Sequence, residues 1–208
     1  MLAAQTDSSD MIRVAMLEDS ITTLFSALAS QNRDRIQSLL HVYPHLVNAS
    51  DDSGTTPLMY ATEYDRAFAD LLIQNGANVK ANDHHGLTAI HWAVYWDNAD
   101  VLDALLTVGG DPNDFADLSE MEIVRAEADL KIGCFDNTRL DLTRWTPLHM
   151  AALSGSLKLV QLLVRAGADP TAQTTDGFCP LNFADIRSYP DKAVVLQRAF
   201  AFKKLTSN

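Results

Sequence analysis

The sequence predicts an all-α solenoid of about five stacked repeats with one inserted segment, and three observations carry that prediction. The stretch Thr143–Ala172, TRWTPLHMAALSGSLKLVQLLVRAGADPTA, reads as helix, turn, helix and return. The pattern recurs in phase, with Thr56 and Thr88 32 residues apart and Thr146 and Cys179 33 apart. Leucine pairs recur at matching places in the second helix, at Leu71-Leu72, Leu105-Leu106 and Leu162-Leu163. A unit of this kind cannot bury its own apolar face, so copies must stack on one another.

Taken in order, residues 1–19 form an N-terminal extension, polar and small up to Asp10, with a short helix expected over Met11–Leu17. A single domain then runs over 20–204, with repeats at approximately 20–50, 51–82, 83–114, 141–173 and 174–204, and 205–208 is a tail. In the first repeat Leu24, Ala27 and Leu28 mark an inner helix and Ile36, Leu39 and Leu40 an outer one, which Tyr43-Pro44 ends. It lacks the T-P-L-H opening, as expected of a terminal unit with one face toward water. The second and third repeats open at Gly54-Thr55-Thr56-Pro57-Leu58 and Gly86-Leu87-Thr88-Ala89-Ile90-His91. In the fourth, Pro147 suits the first turn of a helix and Gly167 the position just past a helix end. The fifth opens at Gly177-Phe178-Cys179-Pro180-Leu181, and Lys203 and Lys204 fall at the negative end of its outer helix.

Thr146 follows Thr88 by 58 residues, so about 25 have been added, and alignment of both edges places the insertion at 115–139. It holds six acidic and three basic residues. Ser119-x-x-Glu122 has the form of a capping box and predicts a helix over Glu120–Lys131, with short strands possible over Lys131–Phe135 and Arg139–Thr143. The segment is either a tolerated surface excursion or an added recognition arm; a decayed repeat fits less well, because no T-P-L-H trace survives in it.

The period near 33, the G-x-T-P-L-H openings, the leucine pairs and the G-A-D-P or G-A-N-V returns resemble the ankyrin-repeat family over about 20–204 outside the insertion. That resemblance implies β-hairpin fingers projecting from the helix pairs and a concave surface, made by inner helices and finger tips, that binds protein. It places Glu63, Tyr64, Tyr95, Trp96, Leu153 and Ser154 on the concave side of the inner helices, and Thr55, Leu87, Trp145 and Phe178 after the finger glycines. The expected partner-binding set is Tyr64, His84, His85, Leu87, Tyr95, Trp96, Trp145, Leu153 and Phe178. Within it Tyr64, Tyr95, Trp96, Trp145 and Phe178 would form a nearly continuous aromatic stripe rimmed by Glu63, Asp97 and the acidic insertion. The alternative is that the insertion folds back and covers these rings. Trp92 occupies the slot of Tyr60, Met150 and Phe183, which points into the stack, and is expected in the core.

Two departures concern the backbone. Arg144 stands where the other fingers have Gly54, Gly86 and Gly177. The favoured expectation is that the insertion reshapes this turn and removes the need for positive φ; a left-handed arginine would cost about 1 kcal/mol. Asp97-Asn98 replaces the turn at Gly155-Ser156, with Asn the residue suited to a left-handed bend.

The formal charge of −11 argues against nucleic acid and against an anionic membrane surface. Two cysteines, Cys134 and Cys179, make neither a disulfide framework nor a metal set, and with no apolar signal core in Met1–Asp10 the expected location is the cytoplasm, although a cleaved signal would be invisible. No run of 18 or more apolar residues suggests a membrane span. His91 and His149 belong to the repeat opening and, by the resemblance, brace neighbouring repeats. His84-His85 lacks an evident third ligand, Cys179 takes the motif threonine's buried slot, and no phosphate loop, H-E-x-x-H helix or hydrolase elbow is present. No catalytic residue, metal or cofactor is therefore expected. The function that follows is a non-catalytic module, monomeric when free, binding a folded protein with a basic or mixed surface as adaptor or stoichiometric inhibitor. The alternative is an enzyme or small-molecule binder with a site between insertion and concave face, using Asp or Glu with His84, His85 or Cys134; self-association is a third.

Overall fold

The computed structural model describes residues 20–118 and 143–206. The helices expected at Met11–Leu17 and Glu120–Lys131, the two short strands and Cys134 fall wholly or mainly outside these residues. Among the described residues ten helices alternate as inner and outer members of five pairs. The first, α1, covers 20–29. It is followed by α2 (Arg33–Val42), a 3-10 turn (Pro44–Asn48), α3 (Pro57–Ala61), α4 (Arg66–Gln74), α5 (Ala89–Tyr95), α6 (Ala99–Thr107), α7 (Pro147–Leu153), α8 (Leu157–Arg165), α9 (Pro180–Ile186) and α10 (Pro190–Thr206). Inner helices pack in the series α3, α5, α7, α9 and outer helices in the series α4, α6, α8, α10. The α5–α7 contact shows that the added segment leaves the stack unbroken.

The inner helices α3, α5, α7 and α9 start from the same reciprocal cap. Thr146 N–H donates to His149 Nδ1 at 3.1 Å, the Thr146 hydroxyl meets the same nitrogen at 2.8 Å, and Thr88 with His91 repeats the arrangement. The chemistry survives substitution, because Met59 Sδ accepts from Thr56 N–H and Asn182 Oδ1 accepts from Cys179 N–H. These bonds satisfy donors that a helix start otherwise leaves open. Cys179 is half-buried rather than buried, its thiol donating to Asn182 Oδ1 at 3.0 Å.

Three inner helices end on a left-handed residue that is not glycine: Gln31 (φ 53°), Asp97 (φ 51°) and Ser188 (φ 54°). Asp97, not Asn98, takes the strained conformation. Asn98 is committed elsewhere: its side chain caps α6 at Val101 N–H, and its amide donates to Thr62 O at 2.9 Å and Tyr64 O at 2.6 Å in the preceding repeat. Asp97 in turn accepts from Ser156 N–H of the following repeat at 2.8 Å.

The fingers are hydrogen-bonded turns; among the described residues only isolated bridges form, Asn82 with Thr88 and Ala116 with Trp145, so the expected β-hairpins reduce to single-bridge turns. Asp83 ties its finger together, accepting from His85 N–H and Leu87 N–H at 2.9 Å each and from Trp92 Nε1–H at 3.3 Å. Adjacent fingers are laced by main-chain bonds from His84 N–H to Ser53 O and from Asp117 N–H to His85 O. At the fourth finger Thr143 O accepts from Thr175 N–H. Asp117 thus fills the place of His84, Thr143 that of His85, and residues 118–142 part the finger at its tip. Ala116 and Trp145 still pair as Asp83 and Leu87 do.

Arg144 keeps the glycine conformation, with φ 60°, so the turn is not reshaped as expected. Its guanidinium lies 4.5 Å from the Phe115 ring, a cation–π contact that offsets part of the strain. A side chain would be far harder to fit at Gly54, where a Cβ would come within 2.9–3.1 Å of His84 and Asp83.

Candidate protein-binding surface

The expected aromatic stripe is divided by the structure. Trp145 is fully buried, its ring centroid 4.5 Å from Phe183 and 5.9 Å from His149. The residue after the finger's left-handed position leads directly into the helix cap, which turns its side chain under the inner helices. Leu87, in the equivalent place, is buried for the same reason. Leu153 is buried as well. Around it Lys192 Nζ donates to Ala151 O, Ala152 O and Gly155 O at 3.3, 3.1 and 2.8 Å, drawing the start of α10 over the end of α7. These three belong to the core, not to an open surface.

Six of the nine expected residues reach solvent. Trp96, the C-cap of α5, is 42% exposed, and its ring centroid is 4.9 Å from that of half-buried Tyr95. Trp92 lies 5.7 Å from Tyr95, packed against the core but only half-buried, with its edge held by Asp83. Tyr64 is half-buried beside Tyr60 and Phe68, with centroids 6.0 and 6.2 Å away. Burial, with smaller contributions from Tyr60 and Glu63, pushes the Tyr64 hydroxyl up to about 12, so it remains a donor at neutral pH. Burial raises Tyr95 in the same direction. His84 is exposed and His85 half-buried at the second finger tip, and Phe178 is half-buried at the last finger, 5.8 Å from Phe183.

Sequence reasoning passed over the aromatic pair at the first two repeats. Phe25 and Tyr60 meet edge to face at 5.8 Å and line a groove of about 580 Å³ with Ile21, Asp51 and Asp52. Tyr60 shares its slot with Met150 and Phe183, which are buried, and with Trp92, which like Tyr60 is half-buried.

The histidines of the openings serve the stack. Burial lowers both His91 and His149 to about 4, against smaller opposing effects from neighbouring backbone groups. At His149 the reason is visible: Nδ1 accepts from Thr146 N–H, so Nε2 carries the proton that is shared with Phe178 O at 3.1 Å. A second proton would have to enter where a donor already points. Among the described residues no group of three or more His, Cys, Asp or Glu is placed to hold a metal ion. Nor is any helix among them long and apolar enough to cross a membrane.

Comparison with known families agrees with this architecture. Residues 24–116 match the family description "Ankyrin repeats (3 copies)" and residues 143–175 match "Ankyrin repeat". The chain belongs to the ankyrin-repeat family. The two matches flank the added segment, as the uninterrupted packing of α5 on α7 requires. Similar curated proteins include the nuclear factor NF-kappa-B p105 subunit of Gallus gallus, 30% identical over 191 residues, covering 82% of this chain and 19% of that protein. Ankyrin repeat and SOCS box protein 3 of Homo sapiens is 33% identical over 110 residues, covering 53% of this chain and 17% of that protein. Tyrosine-protein kinase HTK16 of Hydra vulgaris is 27% identical over 166 residues, 78% of this chain and 19% of its own length. The chain therefore spans about a fifth of the length of these relatives. As a class, ankyrin repeats are non-catalytic scaffolds for protein–protein interaction, and this ankyrin-repeat chain has that architecture.

Proposed function

We propose that this ankyrin-repeat chain binds a folded protein through the open aromatic residues of its middle repeats and its finger tips, acting as an adaptor or as a stoichiometric inhibitor of an enzyme. The observation that carries the reading is Trp96, a large ring 42% exposed at the end of an inner helix and backed by Tyr95. Packing does not account for an open tryptophan. Rigid aromatic anchors of this kind supply much binding energy at low entropic cost. Tyr64, His84, His85 and Phe178 extend the surface along the stack, and Glu63, Asp97 and Asp52 are exposed beside it. With a net charge of −11, the chain favours a partner with a basic or mixed surface and speeds its encounter electrostatically.

Affinity capture with the wild-type chain and with Trp96→Ala, analysed side by side, tests the reading. A protein retained by the first and lost from the second, at unchanged thermal midpoint, is the expected result. Equal retention by both would remove Trp96 as the anchor.

A further inference from the structure

The last outer helix breaks the length rule of the others. The helices α4, α6 and α8 each have nine residues, whereas α10 has 17 and runs on past the end of α8. Its buried face carries Ala193 and Leu196. A second face, at i, i+3, i+4 and i+7, carries Val195, Arg198, Ala199 and Phe202, and Leu205 continues it one turn further. Phe202 is 70% exposed and Leu205 80%. This face and the return segment after α8 enclose a groove of about 630 Å³, floored by Val164, Pro170 and Val195. Its walls come from two successive repeats, on outer-helix elements remote from Trp96.

The rim has the opposite charge to the molecule. Arg198 and Lys203 line it, and no carboxylate does among the described residues. The one carboxylate paired here, Asp169, is engaged by Lys203 at 3.8 Å. A chain with 16 basic and 27 acidic residues thus lines this apolar trough with two cations and no anion. Facing copies of that rim would repel one another, which disfavours a symmetric second copy as the occupant.

We propose that this groove is a second docking site, separate from the concave aromatics, and that it takes an acidic amphipathic helix of a partner protein. Apolar side chains of that helix fill the trough against Phe202 and Val195, and its flanking carboxylates meet Arg198 and Lys203.

The test uses the full chain and two labelled helical peptides, both with leucines at i, i+3, i+4 and i+7, one with glutamates and the other with lysines at the remaining positions. Fluorescence anisotropy should show saturable binding of the glutamate peptide only, weakening as salt rises. Phe202→Ser and Arg198→Glu, both at exposed positions, should each weaken it by about tenfold or more, and Trp96→Ala should leave it unchanged. The proposal fails if the two peptides bind equally, if neither binds, or if both substitutions are without effect. It also fails if sedimentation shows dimers that Phe202→Ser abolishes, since the occupant would then be a second copy.

Discussion

Two tryptophans and two histidines define the residue scale. Trp145→Ala empties a site packed against Phe183 and His149, and should cost about 3–5 kcal/mol of unfolding free energy. Trp96→Ala removes an exposed ring and should stay within about 0.5 kcal/mol. Urea denaturation of the two variants checks the contrast; comparable losses would place Trp96 in the core. His91 and His149 predict a pH dependence. Their folded values near 4 lie below the ordinary value of 6.5, so the unfolded chain takes up protons first as pH falls. The stability they contribute is complete above about pH 6.5 and is lost progressively down to about pH 4, on the order of 3 kcal/mol for each ring. Asp100 and Asp169 are lowered from an already acidic value, the first by its Lys158 bond and the second because burial, its largest single influence, is outweighed by the bonds from Thr171 and the charge of Lys203 together, and so they titrate below that window. Urea midpoints at pH 7 and pH 5 measure the effect, and His149→Gln, weaker at pH 7, should show a smaller drop between them.

At the scale of elements, single side chains hold neighbouring repeats in register. Asn98 both caps α6 and donates to two carbonyls of the preceding repeat. Asn98→Ala should destabilise by about 2 kcal/mol, whereas Asn98→Ser, which keeps a capping oxygen but not the amide, should recover only about half of the loss. Lys192 is 5% exposed and crosses from α10 to three carbonyls around the end of α7 while its ammonium lies 3.8 Å from the Tyr189 ring. Lys192→Met leaves those acceptors buried and should cost about 2 kcal/mol or more, with amide exchange accelerating first in α9 and α10. Uniform acceleration through all repeats would contradict this local role. Surface ion pairs between outer helices, Arg66 with Asp103 and Lys158 with Asp100, are exposed and add little beside these buried bonds.

The whole molecule is a stack interrupted in sequence but not in space. Because Asp117 and Thr143 occupy adjacent places in the finger lacing, joining them directly restores a finger of regular length. A chain lacking 118–142 should therefore still fold and unfold cooperatively in a thermal melt, having given up the burial of Leu118. Loss of cooperative unfolding would show instead that the added segment supports the stack. The same deletion, carried into affinity capture beside Trp96→Ala, separates recognition by the segment from recognition by the open rings.

Periodicity alone determined the repeat count, the order of helices and the presence of an insertion of about 25 residues, because each helix pair can bury its leucines only against a copy of itself. The family resemblance suggested His91 and His149 as braces between repeats, whereas the local caps that they make with Thr88 and Thr146 came from the structure. The exposure of each ring was decided in three dimensions. Tyr95, Trp96, Trp145 and Leu153 looked alike as slots in a repeat. Whether a slot opens depends on what the next repeat lays across it: Phe183 against Trp145, Lys192 beside Leu153, and no such cover over Trp96. Arg144 carries the same lesson for the backbone. Sequence suggested that an insertion would relax its turn, but the lacing at Asp117 and Thr143 and the pairing of Ala116 with Trp145 hold the finger in shape, and the left-handed conformation follows from those distant bonds.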